Sequence, residues 1–224
     1  PKFAVEGDPP SRWFEFEQGR SVTFYASTSG QSGLSGGGVS EFQQALQAWN
    51  DDGGSRVNYV YGGTRNAGGG LEHGDGMNQI LFNDPYDELA GSFDCRSGGV
   101  VAYATFRSGA VRAWRGISVR PIQEVDIVVQ DGVGCMLSGN GGRNAAEAFA
   151  HELGHTLGLD HSCGERNLPS CVTDAVAEDA LMRPVLHSDG RGASLGADDR
   201  AGIAWLYSPS GLLDPILDPI LDPA

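Results

Sequence analysis

Three histidines and one glutamate lie inside eleven residues, His151-Glu152-Leu-Gly-His155-Thr-Leu-Gly158-Leu-Asp-His161. Residues four apart share one face of a helix, so His151 and His155 can turn two imidazoles toward one metal ion. Glu152, one position round, is poorly placed to be a ligand but can reach a water at that metal. Gly158 permits a backbone conformation closed to most side chains, which lets the chain leave the helix and return His161 as a third nitrogen ligand. Three protein ligands leave the fourth tetrahedral position open, as in catalytic rather than structural zinc sites. The chemistry expected is metal-assisted hydrolysis: zinc lowers the pKa of its water and polarises a carbonyl, while Glu152 serves as general base. No Ser/His/Asp arrangement competes with it.

Several elements must position these residues. Ser21–Ala26 alternates as a strand, and Val39–Trp49 carries apolar residues at helical spacing. Residues 57–61, 78–83, 99–106 and 124–130 read as further strands. A helix from about Ala145 leads into the histidine segment, with Asn144 as N-cap and Glu147 completing a capping box. A last helix is predicted over 197–207, with Asp198 and Asp199 suited to its N-terminus. From Leu213 the chain repeats LDPI, LDPI, LDPA; proline at every fourth position forbids a helix, so 209–224 reads as an extended stalk or a short tail.

The composition narrows the partners. With 224 residues, 40% of them hydrophobic, the chain can bury a proper core, and its net charge of −14 argues against nucleic acid and against an anionic membrane surface. No apolar run is long enough to span a bilayer. The chain opens at Pro1, so no leader can be read from it. Four cysteines allow three pairings; Cys163–Cys171 is favoured because it closes a short loop just after His161, leaving Cys95–Cys135. Disulfides imply an oxidising compartment, hence secretion.

The segment HELGHTLGLDHS, His151 to Ser162, resembles the zinc helix of the metzincins, and among them the matrixins, almost letter for letter. Ala180-Leu-Met182-Arg-Pro184 is similar to that family's Met-turn, and 195–207 to its closing helix. Pro184 stands where astacin-like relatives have a Tyr, which favours the matrixin resemblance. The resemblance covers about 12–208, strongly after Arg143 and loosely before it. It implies an α+β fold with α/β-type layers: a twisted, mostly parallel sheet with an antiparallel edge strand, two long helices, and a small C-terminal subdomain holding the Met-turn and last helix. Residues 1–208 would form the catalytic domain.

The resemblance also implies a zinc endopeptidase that is secreted and monomeric and acts on extended polypeptides. Tyr103 and Ala104, on the edge strand 100–106, would pair with the substrate. Pro184 and Val185 would wall the pocket for the side chain after the cleaved bond, giving a hydrophobic preference. Met182 would form the apolar floor under the zinc ligands. Matrixins proper hold a second zinc with three His and an Asp; this chain has only His73 and His187 to spare, and Tyr103 where the family has a His, so no second zinc of that kind is expected and His73 reads as a loop residue. Calcium is weakly signalled by Asp84, Asp87, Glu88 and Asp94, for which a solvated acidic loop is the competing reading. Two other functions stay open: a secreted zinc-binding adhesion module without proteolysis, and a metzincin acting on a single partner protein.

Overall fold

Why the chain can hold a long helix against a sheet is visible in two tryptophans. In the computed structural model, which describes residues 4–71, 74–164, 168 and 170–209, the stripe Phe42, Ala45, Leu46 and Trp49 of α1 (Val39–Asn50) is buried. The Trp49 indole donates to the Ala150 carbonyl at 2.9 Å, and the Trp13 indole to the Thr156 carbonyl at 2.8 Å. Both acceptors lie on α3 (Arg143–Thr156), which carries the histidines. A buried indole N–H seeks such a partner, and here it sets the register of the packing as well. Between the two long helices lies the short α2 (Gly134–Leu137); α4 (Ala175–Glu178) and α5 (Ala197–Tyr207) follow.

Seven strands make one sheet: β1 (Ser11–Arg12), β2 (Val22–Ser27), β3 (Tyr59–Arg65), β4 (Asn78–Leu81), β5 (Ala102–Ser108), β6 (Arg112–Trp114) and β7 (Ile117–Val129). The order β1-β7-β4-β2-β3 is parallel throughout, while β5 and β6 pair antiparallel with β7. The core between sheet and helices is built from Phe24, Phe42, Trp49, Ile80, Phe82, Ile127, Phe149 and Leu153, with edge-on contacts such as Phe24–Phe42 at 6.0 Å. This is the mixed, mostly parallel sheet on two long helices that the family resemblance implies.

Several details differ from the expectation. The strand expected over 57–61 begins at Tyr59, because the Asn50 side chain brackets it, accepting from Tyr59 N at 2.7 Å and donating to Tyr59 O at 2.8 Å. The strand expected over 99–106 is β5, shifted to 102–108. That expected over 124–130 extends back to Ile117, since β7 must serve β1, β6, β5 and β4 in turn. The Asn144–Glu147 capping box does not form. Gly142, at φ 88°, is the N-cap; Asn144 lies inside the helix and donates to the Met136 carbonyl, while Glu147 is used elsewhere. The two-residue β1 and three-residue β6 are too short to leave a periodic signal. His73 and the tail from residue 210 lie outside the described residues.

Candidate active site

The end of α3 builds the turn that the glycine spacing predicts. Gly158 takes φ 89°, its N–H bonds His155 O at 2.8 Å, and Leu159 N bonds Gly154 O at 3.2 Å, which together make a Schellman motif. A Cβ at Gly158 would overlap the Ser11 carbonyl, so the site needs glycine for space as well as for φ. The chain then runs antiparallel to the N-terminal segment, through Glu6 N to Gly158 O at 2.9 Å, Val5 opposite Leu159, and Asp160 N to Ala4 O at 3.2 Å. Beyond His161, Ser162 N bonds Met182 O at 2.8 Å and Cys163 is bridged to Cys171. His161 is therefore fixed from both sides. The other bridge is Cys95–Cys135, so both expected pairings form.

The three imidazoles converge, with ring centroids 4.8, 5.3 and 4.9 Å apart, and each offers a ring nitrogen within 4.8 Å of the others. His151 Nε2 and His155 Nε2 are 3.1 Å apart, close to the separation of about 3.3 Å that tetrahedral zinc with bonds of about 2.0–2.1 Å requires. The opposite nitrogens face acceptors. His151 Nδ1 donates to Leu181 O at 2.8 Å, and His155 Nδ1 to Leu159 O at 2.8 Å with Glu6 Oε1 3.2 Å away. Such partners fix the tautomer and leave each Nε2 lone pair for a cation. Burial pushes His151 well down, keeping it neutral and able to ligate. Burial would lower His155 too, but Glu6 and Glu152 outweigh it and raise it to about 9, so a metal ion binding there displaces a proton from the ring.

The Met-turn is tied to α5 by one carboxylate. Asp199 accepts from Leu181 N at 2.7 Å, Met182 N at 3.0 Å and Gly196 N at 2.6 Å. Since Leu181 O is the partner of His151, this aspartate reaches the histidine cage through one residue. Met182 is buried, and a Cβ at Gly154 would overlap its sulfur, so helix and turn touch without a gap.

A cleft of about 890 Å³ runs between β5 and the segment after the Met-turn, lined by Tyr103, Ala104, the three histidines, Glu152, Pro184 and Val185 among others. The structure thus brings together all the expected catalytic, ligand and substrate residues. Glu152 is buried, which pushes its carboxyl up to about 7; Glu6 adds to the rise, while His155 and the Ala104 N–H oppose it. β5 is hydrogen-bonded on one side only among the described strands. Tyr103 and Val185 are exposed in the cleft, at 54% and 62%.

The four acidic residues considered for calcium do not converge. Asp84 binds Glu88 N and Leu89 N, Glu88 binds Leu71 N, Asp94 binds Arg96 N and Ser97, and Asp87 is an exposed turn residue at φ 54°. The Asp84 and Asp94 bonds shape local turns, while the Glu88 bond ties two loops together. An acidic group that shares Glu88 surrounds Asp126, whose carboxyl burial, with Glu124, Asp75 and Glu88 nearby, raises to about 8. Sequence reading missed that group and Glu6. Neither belongs to a motif, and both are assembled from distant segments.

The matrixin family model matches residues 18–208, so this chain belongs to the matrixin family. It is a zinc metalloendopeptidase with a catalytic zinc and a polypeptide substrate. Among solved structures it is similar to high choriolytic enzyme 1, a hatching-enzyme zinc protease from Oryzias latipes, the medaka fish. That likeness has a TM-score of 0.47 and 12% identity, over 92% of this chain and 98% of that one. No curated relative matches the chain. No helix among the described residues is long and apolar enough to cross a membrane.

Proposed function

We propose that residues 1–208 form a secreted endopeptidase that cuts extended polypeptides before hydrophobic residues, with His151, His155 and His161 holding the zinc. The observation that carries this is the position of Glu152, a buried carboxyl in the wall of the cleft that the three histidines also line. A base with a pKa near the working pH both accepts and returns a proton well. When bound, zinc supplies Lewis acidity to the attacking water and the scissile carbonyl. Glu152 takes the water's proton and delivers it to the departing amine nitrogen. The free side of β5 accepts the substrate backbone as an added antiparallel strand through Tyr103 and Ala104. The exposed Val185 beside Pro184 gives an apolar wall to the side chain after the cut. Both disulfides suit an oxidising, extracellular milieu, with 209–224 as a tail. Calcium has no assigned role in this reading.

Cleavage sites mapped by mass spectrometry in a mixed peptide library test it. Cuts before hydrophobic residues, abolished in Glu152→Ala, are the expected result. Cuts without a hydrophobic bias would refute the pocket, and folded, zinc-loaded protein that cuts nothing would favour a binding module.

A further inference from the structure

Glu147 lies on α3 one turn before His151 and is 1% exposed as a side chain. A carboxylate this deeply buried needs partners, and all of its partners come from one distant segment. His187 N donates to Oε1 at 2.6 Å, His187 Nδ1 faces the same oxygen at 3.0 Å, and Ser188 N donates to Oε2 at 3.1 Å. The other ring nitrogen, His187 Nε2, lies 2.9 Å from the Glu178 carbonyl. The ring thus ties the Glu147 carboxyl to the Glu178 carbonyl through both of its nitrogens. Ser188 is held at φ 54°, a left-handed conformation unusual for a residue other than glycine, and its carbonyl accepts from Asn140 at 3.0 Å. Such backbone persists only where the surroundings enforce it.

The consequence for the cleft follows from where the two anchors sit. Asp199 pins Leu181 and Met182, and Glu147 pins His187 and Ser188, so the intervening 183–186 stretch is clamped at both ends. That stretch contains Pro184 and Val185. We propose that the buried Glu147–His187 pair is a latch that fixes the wall of the pocket after the cleaved bond, making both residues positioning residues that determine selectivity without touching substrate. The proposal rests on reading 184–186 as that wall. Because Glu147 stands on the zinc helix itself, the pocket wall and the metal ligands move as one body.

The test uses Glu147→Gln, which exchanges one acceptor oxygen for a donor, and His187→Gln as a second variant that keeps both backbone bonds. Two readouts are taken on zinc-loaded protein. Hydrogen exchange of the 184–190 segment should speed up by about tenfold in Glu147→Gln. The preference for Leu over Ala after the cut, as a ratio of kcat/KM, should fall by about tenfold in both variants. The loss should enter through KM for the Leu peptide, with kcat within about threefold of the parent. Unchanged exchange and an unchanged Leu/Ala ratio in either folded variant would overturn the latch. An equal fall in kcat on both peptides would also overturn it, as the mark of general structural damage. A parent protein that cuts neither peptide would refute the cleft reading instead, and the exchange result would then decide the latch by itself.

Discussion

Asp199→Asn perturbs the tie between the Met-turn and the last helix. The carboxylate uses Oδ2 for Leu181 N and Gly196 N, and Oδ1 for Met182 N. Asparagine keeps one acceptor oxygen and sets an NH2 against the remaining amide donors. In its better orientation the oxygen serves Leu181 and Gly196, and only Met182 N loses its partner. An orphaned buried donor costs about 1–3 kcal/mol, and the other orientation, orphaning two, costs about twice that. The expected loss is therefore at least about 1–3 kcal/mol out of a total of about 5–15 kcal/mol. The Met182 N–H and the Leu181 carbonyl belong to one peptide plane, so losing that bond also loosens the acceptor of His151 Nδ1, and loss of such a partner lowers metal affinity by about 10–100-fold. The assay is urea unfolding with zinc and with chelator, paired with zinc titration. A stability change below about 0.5 kcal/mol with unaltered zinc affinity would refute the reasoning, since surface substitutions have effects of that size.

Other outcomes follow from the same geometry. Gly158→Ala should destabilise the fold and weaken zinc binding, because the residue combines φ 89° with no room for a Cβ; wild-type thermal unfolding and zinc affinity would contradict this. Asp126 should make stability fall with rising pH. Its folded-state carboxyl titrates near 8, above that of the unfolded chain, so its contribution is full below about pH 4 and is lost as pH climbs to about 8. Asp126→Asn should flatten that decline and raise the melting temperature at pH 8 by a few degrees, about 2–4 °C per kcal/mol for a chain of this size. An unchanged pH slope in the variant would show that Asp126 does not cause it.

How much of this was legible in the sequence depended on how local each interaction is. The pair His151 and His155 is set by helix periodicity, and Gly158 by a single backbone angle, so both could be read from spacing. The short Cys163–Cys171 loop and the helix over 197–207 were legible for the same reason. The partners of the histidines were not. Leu181 and Leu159 act through backbone carbonyls, which every residue has, and Glu6 arrives from the N-terminal segment without a motif. Glu147 shows the opposite failure. Its spacing from Asn144 matched a capping box, but Gly142 had already taken the N-cap and the carboxylate turned inward to residues 187 and 188. A local pattern is overridden when a buried charge has a better partner far along the chain.

The most direct measurement is zinc content and peptide cleavage on the same preparations of parent, Glu152→Ala and His161→Ala protein. The account predicts one tightly held zinc and cleavage in the parent. Glu152→Ala should keep the zinc while cleavage falls by about 10²–10⁴-fold, the usual contribution of a general base. His161→Ala should lose both. Cleavage by Glu152→Ala at the parental rate, or parental zinc binding by His161→Ala, would contradict it.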